Sequence, residues 1–122
     1  MKFRVDFSTA TPIAVLIISL IFSILVPSIA FAGDEEQGKA IAFDRKKGNC
    51  LACHAIEGGS LPGNIGPPLE NMKNRYPDKA KLRDQIFDAT KRNPNSIMPP
   101  FGKHEILTKD ELDKVVEFIY TL

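Results

Sequence analysis

Cys50-Leu51-Ala52-Cys53-His54 brings together both cysteines of the chain and one of its two histidines. Two thiols separated by two residues and followed at once by an imidazole form the C-x-x-C-H pattern of covalent haem attachment. Each thiol adds across one porphyrin vinyl group to make a thioether, and the two intervening residues set the sulfurs at the spacing of neighbouring vinyls. The imidazole that follows is carried beneath the iron, so one short turn fixes the macrocycle and supplies its proximal ligand. Three other chemistries use similar residues. A disulfide across so short a loop recovers little chain entropy. A thioredoxin-like dithiol belongs beside a βαβ pattern, and this chain has no run of alternating β-branched residues to build one. A tetrahedral zinc site needs a fourth ligand, for which His104 is the obvious candidate.

A low-spin electron carrier needs a second axial ligand, and Met72, Met98 and His104 lie downstream of the motif. Met98 is the expected ligand. It sits in Asn95-Ser96-Ile97-Met98-Pro99-Pro100-Phe101-Gly102, where two prolines fix φ near −65° and stiffen an extended segment that can press a thioether onto iron. Met72 lies beside Leu69 in a stretch suited to a short amphipathic turn, and packing is its expected role. His104, between Lys103 and Glu105, is expected at the surface; as a ligand it would give a bis-histidine haem.

Among the elements that must hold these residues, Asp34, Glu35 and Glu36, then Ala40, Ile41 and Phe43, then Arg45-Lys46-Lys47-Gly48 predict one helix. Acid at its start and base at its end suit the macrodipole, and Gly48 is placed as its stop. The segment from Gly58 to Leu69 is too rich in glycine and proline for helix or central strand. It is expected to wrap one haem edge, with Leu61, Ile65 and Leu69 keeping it ordered. A second helix is predicted from Asp78 to Lys91, with Leu82, Ile86 and Ala89 on one side and Asn93-Pro94 as the stop. The last helix has a capping box in Thr108 and Glu111 and an apolar stripe of Leu112, Val115, Val116 and Ile119. It is expected to cross the first helix near Phe43. The expected fold class is all-α, a small helical domain wrapped around one covalent haem.

Residues 1–32 have the plan of a secretory signal peptide, expected to be cut before Gly33: basic Lys2 and Arg4, the apolar run Ile13 to Val26, Pro27, and small residues at Ala30-Phe31-Ala32. The alternative is a retained anchor, since the apolar stretch approaches the roughly 20 residues that span a bilayer. Residues 33–122 would then be a single monohaem domain in the periplasm. Removing Lys2, Arg4 and Asp6 with the leader leaves 14 basic and 14 acidic residues. That balance offers no basic footprint for nucleic acid and no polybasic membrane patch. A domain of this size often needs an added source of stability, which a buried haem would supply.

The order helix, C-x-x-C-H, proline loop, helix, methionine loop, terminal helix resembles a class I cytochrome c over residues 33–122. More narrowly, Gly48-Asn49-Cys50-Leu51-Ala52-Cys53-His54, Gly63-Asn64-Ile65-Gly66-Pro67-Pro68-Leu69 and Met98-Pro99-Pro100-Phe101-Gly102 are similar to the SoxX subunit of the SoxAX cytochromes. The resemblance implies a small exported cytochrome with one haem c, forming a heterodimer with a SoxA-type cytochrome in thiosulfate oxidation and passing electrons to a downstream acceptor cytochrome. It implies that Cys50 and Cys53 attach the haem, that His54 and Met98 ligate iron, and that Pro67 offers a backbone carbonyl to the proximal histidine. The L-cysteine S-thiosulfotransferase chemistry of such a pair would lie on the partner, because no thiol is left here once both cysteines are used. Two other functions remain open at this stage: a free-standing diffusible cytochrome c, and a gas or redox sensor with a labile sixth position. Lys46, Lys47, Lys73, Lys79, Lys81, Lys91 and Lys103 are scattered among acids and do not decide between a fixed subunit and a diffusible carrier.

Overall fold

The clearest apolar stripe makes the longest helix. The structure, a computed structural model, describes residues 33–122; the leader and the question of its cleavage lie outside them. Four helices are described: α1 (Asp34–Phe43), α2 (Met72–Arg75), α3 (Lys79–Phe87) and α4 (Lys109–Thr121). Single 3₁₀ turns occupy Cys50–Ala52 and Ala89–Lys91, and the described residues contain no strand.

Thr108 caps α4, its hydroxyl accepting from the Glu111 amide at 3.2 Å while the Glu111 carboxylate accepts from the Thr108 amide at 3.0 Å. Leu112, Val115, Val116, Phe118 and Ile119 are all buried. Full burial of one such side chain contributes about 1.5–3 kcal/mol, against about 1 kcal/mol for a cap. Packing therefore holds this helix and the cap sets where it begins.

The main partner of α4 is α1. Phe43 and Phe118 meet edge to face with ring centroids 5.8 Å apart, at the crossing the sequence predicts. Gly38 makes the approach possible: a Cβ there would lie 1.9 Å from the Lys114 carbonyl oxygen. α3 packs on the other side of α4, with Lys79 paired to Glu117 at 2.8 Å and Arg83 to Asp113 at 2.6 Å. α2 is tied to the chain end by the Met72 amide, which donates to the Leu122 carbonyl at 2.9 Å.

Two predicted helices end early. α1 stops at Phe43, because Asp44 turns extended (ψ 118°) while its amide closes on the Ala40 and Ile41 carbonyls. Arg45, Lys46 and Lys47 therefore lie in a following turn and not in the last turn of the helix. Gly48 still satisfies an α1 carbonyl, its amide donating to Ile41 O at 3.1 Å, but from five residues beyond the helix. The predicted helix 78–91 is split at Asp88, whose backbone leaves the helical region (φ −156°, ψ 89°) before the Ala89–Lys91 turn.

Candidate functional site

The chain enters Cys50 from Asn49, which is left-handed (φ 47°, ψ 36°), a conformation asparagine tolerates better than most residues. The resulting turn is tight. The Cys50 carbonyl accepts from the amides of Cys53 (3.2 Å) and His54 (2.9 Å), so both thiols and the imidazole emerge within one turn.

The Gly58–Leu69 segment docks onto this turn through its backbone. Gly63 N–H donates to Leu51 O at 2.7 Å, Gly66 N–H to Cys53 O at 2.8 Å and Leu69 N–H to Ala55 O at 2.9 Å. These bonds order the loop; of the three apolar residues expected to do so, only Leu69 packs against the core. Leu61 is 88% exposed and Ile65 63% exposed, a correction to the sequence reading. The loop's docking brings the Pro67 carbonyl to 2.7 Å from His54 Nδ1. A carbonyl can only accept, so Nδ1 carries the proton and Nε2 keeps its lone pair. Gly66 lies against the same ring, where an added Cβ would sit 2.3 Å from His54 Cε1.

Cys50, Cys53, His54, Pro67 and Met98 all line one cavity of about 650 Å³, within the usual range for cofactor sites. Met98 reaches it from the loop after the Ala89–Lys91 turn, half-buried, with its amide donating to Ser96 Oγ at 3.3 Å. Met72 also touches the cavity but is 1% exposed and belongs to the core. His104 is exposed and off the cavity. One residue the sequence reading missed is Arg75, also on the cavity wall, whose guanidinium donates to Pro68 O at 2.8 Å. No local pattern marks it, because its partner is set by how the proline loop folds back.

Burial pushes the Cys50 thiol up to about 11, with Cys53 adding to the rise and a local backbone hydrogen bond opposing it. Reactive dithiols in C-x-x-C motifs have lowered values, so a redox-dithiol reading fits poorly. Both thiols are free, and no metal-binding cluster of His, Cys, Asp and Glu occurs among the described residues. The donor set is two free thiols, an imidazole oriented through Nδ1 and a thioether on a largely apolar wall. It fits a thioether-linked haem.

Residues 33–119 match the family described as cytochrome c oxidase, cbb3-type, subunit III. The chain belongs to that family of c-type cytochrome domains, and its helical architecture is that of a class I cytochrome c. Within this class it is a SoxX-like cytochrome: it is similar to a chain in the crystal structure of SoxXA from P. pantotrophus, with a TM-score of 0.66 and 28% identity over 75% of this chain and 83% of that one. A protein of Aquifex aeolicus (strain VF5) described as an uncharacterized lipoprotein is 36% identical over 76 residues. That alignment takes in 62% of this chain but 37% of the relative's length.

Proposed function

We propose that this chain is the exported, monohaem electron-accepting subunit of a SoxAX-type pair that oxidises thiosulfate. The observation that carries it is the convergence of Cys50, Cys53, His54, the Pro67 carbonyl and Met98 on one cavity in a chain whose fold is similar to one in a SoxXA structure. Cys50 and Cys53 anchor the haem, and His54 and Met98 hold its iron. The haem supplies a one-electron redox centre. The Pro67 carbonyl fixes the His54 ring plane and tautomer, which raises the basicity of the ligating nitrogen. With a thioether and an imidazole as its iron ligands, a bound haem would have a potential high enough to accept electrons. Both cysteines being committed, sulfur-transfer chemistry falls to the partner, a SoxA-type cytochrome in a heterodimer, and a downstream cytochrome takes the electron onward. Export to the periplasm by residues 1–32 fits this reading, as does the likeness to a lipoprotein.

The cavity wall carries three exposed isoleucines, Ile65, Ile97 and Ile106. Apolar side chains there favour a lasting interface over the salt-steered encounters of a diffusible carrier. Co-expression with a SoxA-type cytochrome tests the pairing: a heterodimer that survives gel filtration supports it, and a chain that elutes alone at micromolar concentration refutes it. Mass spectrometry of the denatured protein tests the site, with a start at Gly33 and the added mass of one haem expected. Replacing Met98 with Ala is expected to abolish the weak sulfur-to-iron charge-transfer band at the red edge of the oxidised spectrum; its persistence would remove Met98 as ligand.

A further inference from the structure

The Met98 loop leaves the Ala89–Lys91 turn and returns to the body of the protein at Gly102 and Lys103. Both ends converge on Asp88, the one charged residue among the described residues that is fully buried (2% exposed). Its Oδ1 accepts from the Thr90 amide at 3.2 Å and from the Thr90 hydroxyl, gripping the start of the loop. Its Oδ2 faces the Lys103 ammonium at 3.2 Å, gripping the return. The neighbouring Phe87 carbonyl accepts from the Gly102 and Lys103 amides, each at 3.2 Å. Inside the clasp the loop's hydrogen bonds up to Met98 are short-range, Asn93 N–H to Ala89 O, Asn95 N–H to Asn93 Oδ1, Ser96 N–H to Asn93 O and Met98 N–H to Ser96 Oγ, while Phe101 at the return end packs in the core and its carbonyl accepts from the Leu107 amide at 3.1 Å.

We propose that Asp88 is a positioning residue for the sixth ligand: one buried carboxylate staples both ends of the Met98 loop and thereby sets how firmly the Met98 thioether resists displacement. The inference rests on Met98 being that ligand. A loop held at both ends has few arrangements in which the thioether is withdrawn, and releasing either end adds such arrangements. An exogenous ligand binds only the withdrawn state, so its apparent affinity reports the population of that state. A buried carboxylate is the economical choice, since charge-assisted hydrogen bonds are shorter and stronger than neutral ones and both oxygens find partners.

The test uses the full chain, matured with haem, oxidised and titrated with imidazole while the sulfur-to-iron band is followed. Asp88→Asn removes the charge that both arms share, Lys103→Met the return arm and Thr90→Val the starting arm. Lys103 is half-exposed, so its variant keeps the test available where Asp88→Asn does not fold. Asp88→Asn and Lys103→Met are each expected to tighten apparent imidazole binding by about tenfold and to speed amide exchange in residues 93–103. Leu112→Ala, a change at a buried core residue that does not line the cavity, serves as the control: it lowers the melting temperature but leaves imidazole affinity unchanged. If the parent shows the band and the staple variants bind imidazole as the parent does, the staple is refuted while the ligand assignment stands. If the parent lacks the band, the ligand assignment fails and the staple fails with it. An equal rise in affinity for Leu112→Ala would also overturn the proposal, since general loosening would then explain the effect.

Discussion

Gly66→Ala probes the contact on which the orientation of His54 depends. The added Cβ would lie 2.3 Å from Cε1, 2.6 Å from Nδ1 and 2.9 Å from Nε2 of the imidazole, where ordinary contact begins near 3.4 Å. Ring or loop must therefore move by about 1 Å (3.4 less 2.3). A free imidazole would swing aside at little cost. Here Nδ1 is held by the carbonyl of the next residue, Pro67, so the strain cannot be relieved without stretching that bond. Overpacking costs about 1–3 kcal/mol and a weakened hydrogen bond about 0.5–1.5 kcal/mol. Because this site is partly open to solvent, the lower half of the combined range applies, about 1.5–3 kcal/mol. For a domain of this size that lowers the melting temperature by about 6–24 °C. Thermal unfolding of the purified oxidised protein, followed by far-UV circular dichroism, measures it. A melting temperature within about 3 °C of the parent would refute the argument, because it would mean the ring is not pinned.

Gly38→Ala places a Cβ 1.9 Å from the Lys114 carbonyl oxygen, a backbone atom no rotamer change can move; overpacking of about 1–3 kcal/mol outweighs the roughly 1 kcal/mol gained in helix propensity, and denaturant unfolding should show a lower midpoint. Thr108→Ala removes half of the α4 capping box and is expected to cost about 1 kcal/mol in the same assay, with an unchanged haem spectrum; a larger loss would mean the cap does more than set the helix start. The Asp88 carboxyl is held below the usual carboxylate range by the Thr90 hydroxyl first and Lys103 next, and that of Glu111 by Lys47 first and the Thr108 amide next, with burial opposing both. Folded values below the unfolded ones, about 3.9 and 4.3, mean that the stability these groups add is present in full above about pH 5 and is lost as pH falls through the folded values. Melting temperatures should therefore drop between about pH 5 and pH 3, and Glu111→Gln should flatten part of that drop; a curve identical to the parent's would refute the assignment for Glu111.

The local chemistry was legible because it is carried by neighbours in the chain. Cys50, Cys53 and His54 must emerge from one turn whatever surrounds them, the Thr108–Glu111 box acts across three residues, and the α4 stripe repeats with the helical period. The crossing of the first and last helices near Phe43 followed from two helices each needing to bury a face; that Phe118 is the ring it meets came from the structure.

What the order of residues could not decide is where each helix yields to a contact made from elsewhere. Acid and base at opposite ends favoured a longer α1, but the chain had to turn at Asp44 for the Cys50 turn to sit beside the helix that precedes it. A continuous α3 fitted its apolar spacing, yet Asp88 leaves the helix and pairs with Lys103, fifteen positions ahead. Nothing in the order of residues marks Gly38, yet the Lys114 carbonyl stands where its Cβ would be. Leu61 and Ile65 looked like loop anchors, whereas backbone hydrogen bonds to Leu51, Cys53 and Ala55 do that work. Spacing along the chain determines the groups available for chemistry. Only three-dimensional closure decides which distant carbonyl, carboxylate or ring they meet, because those partners are matched by packing that no short stretch of sequence contains.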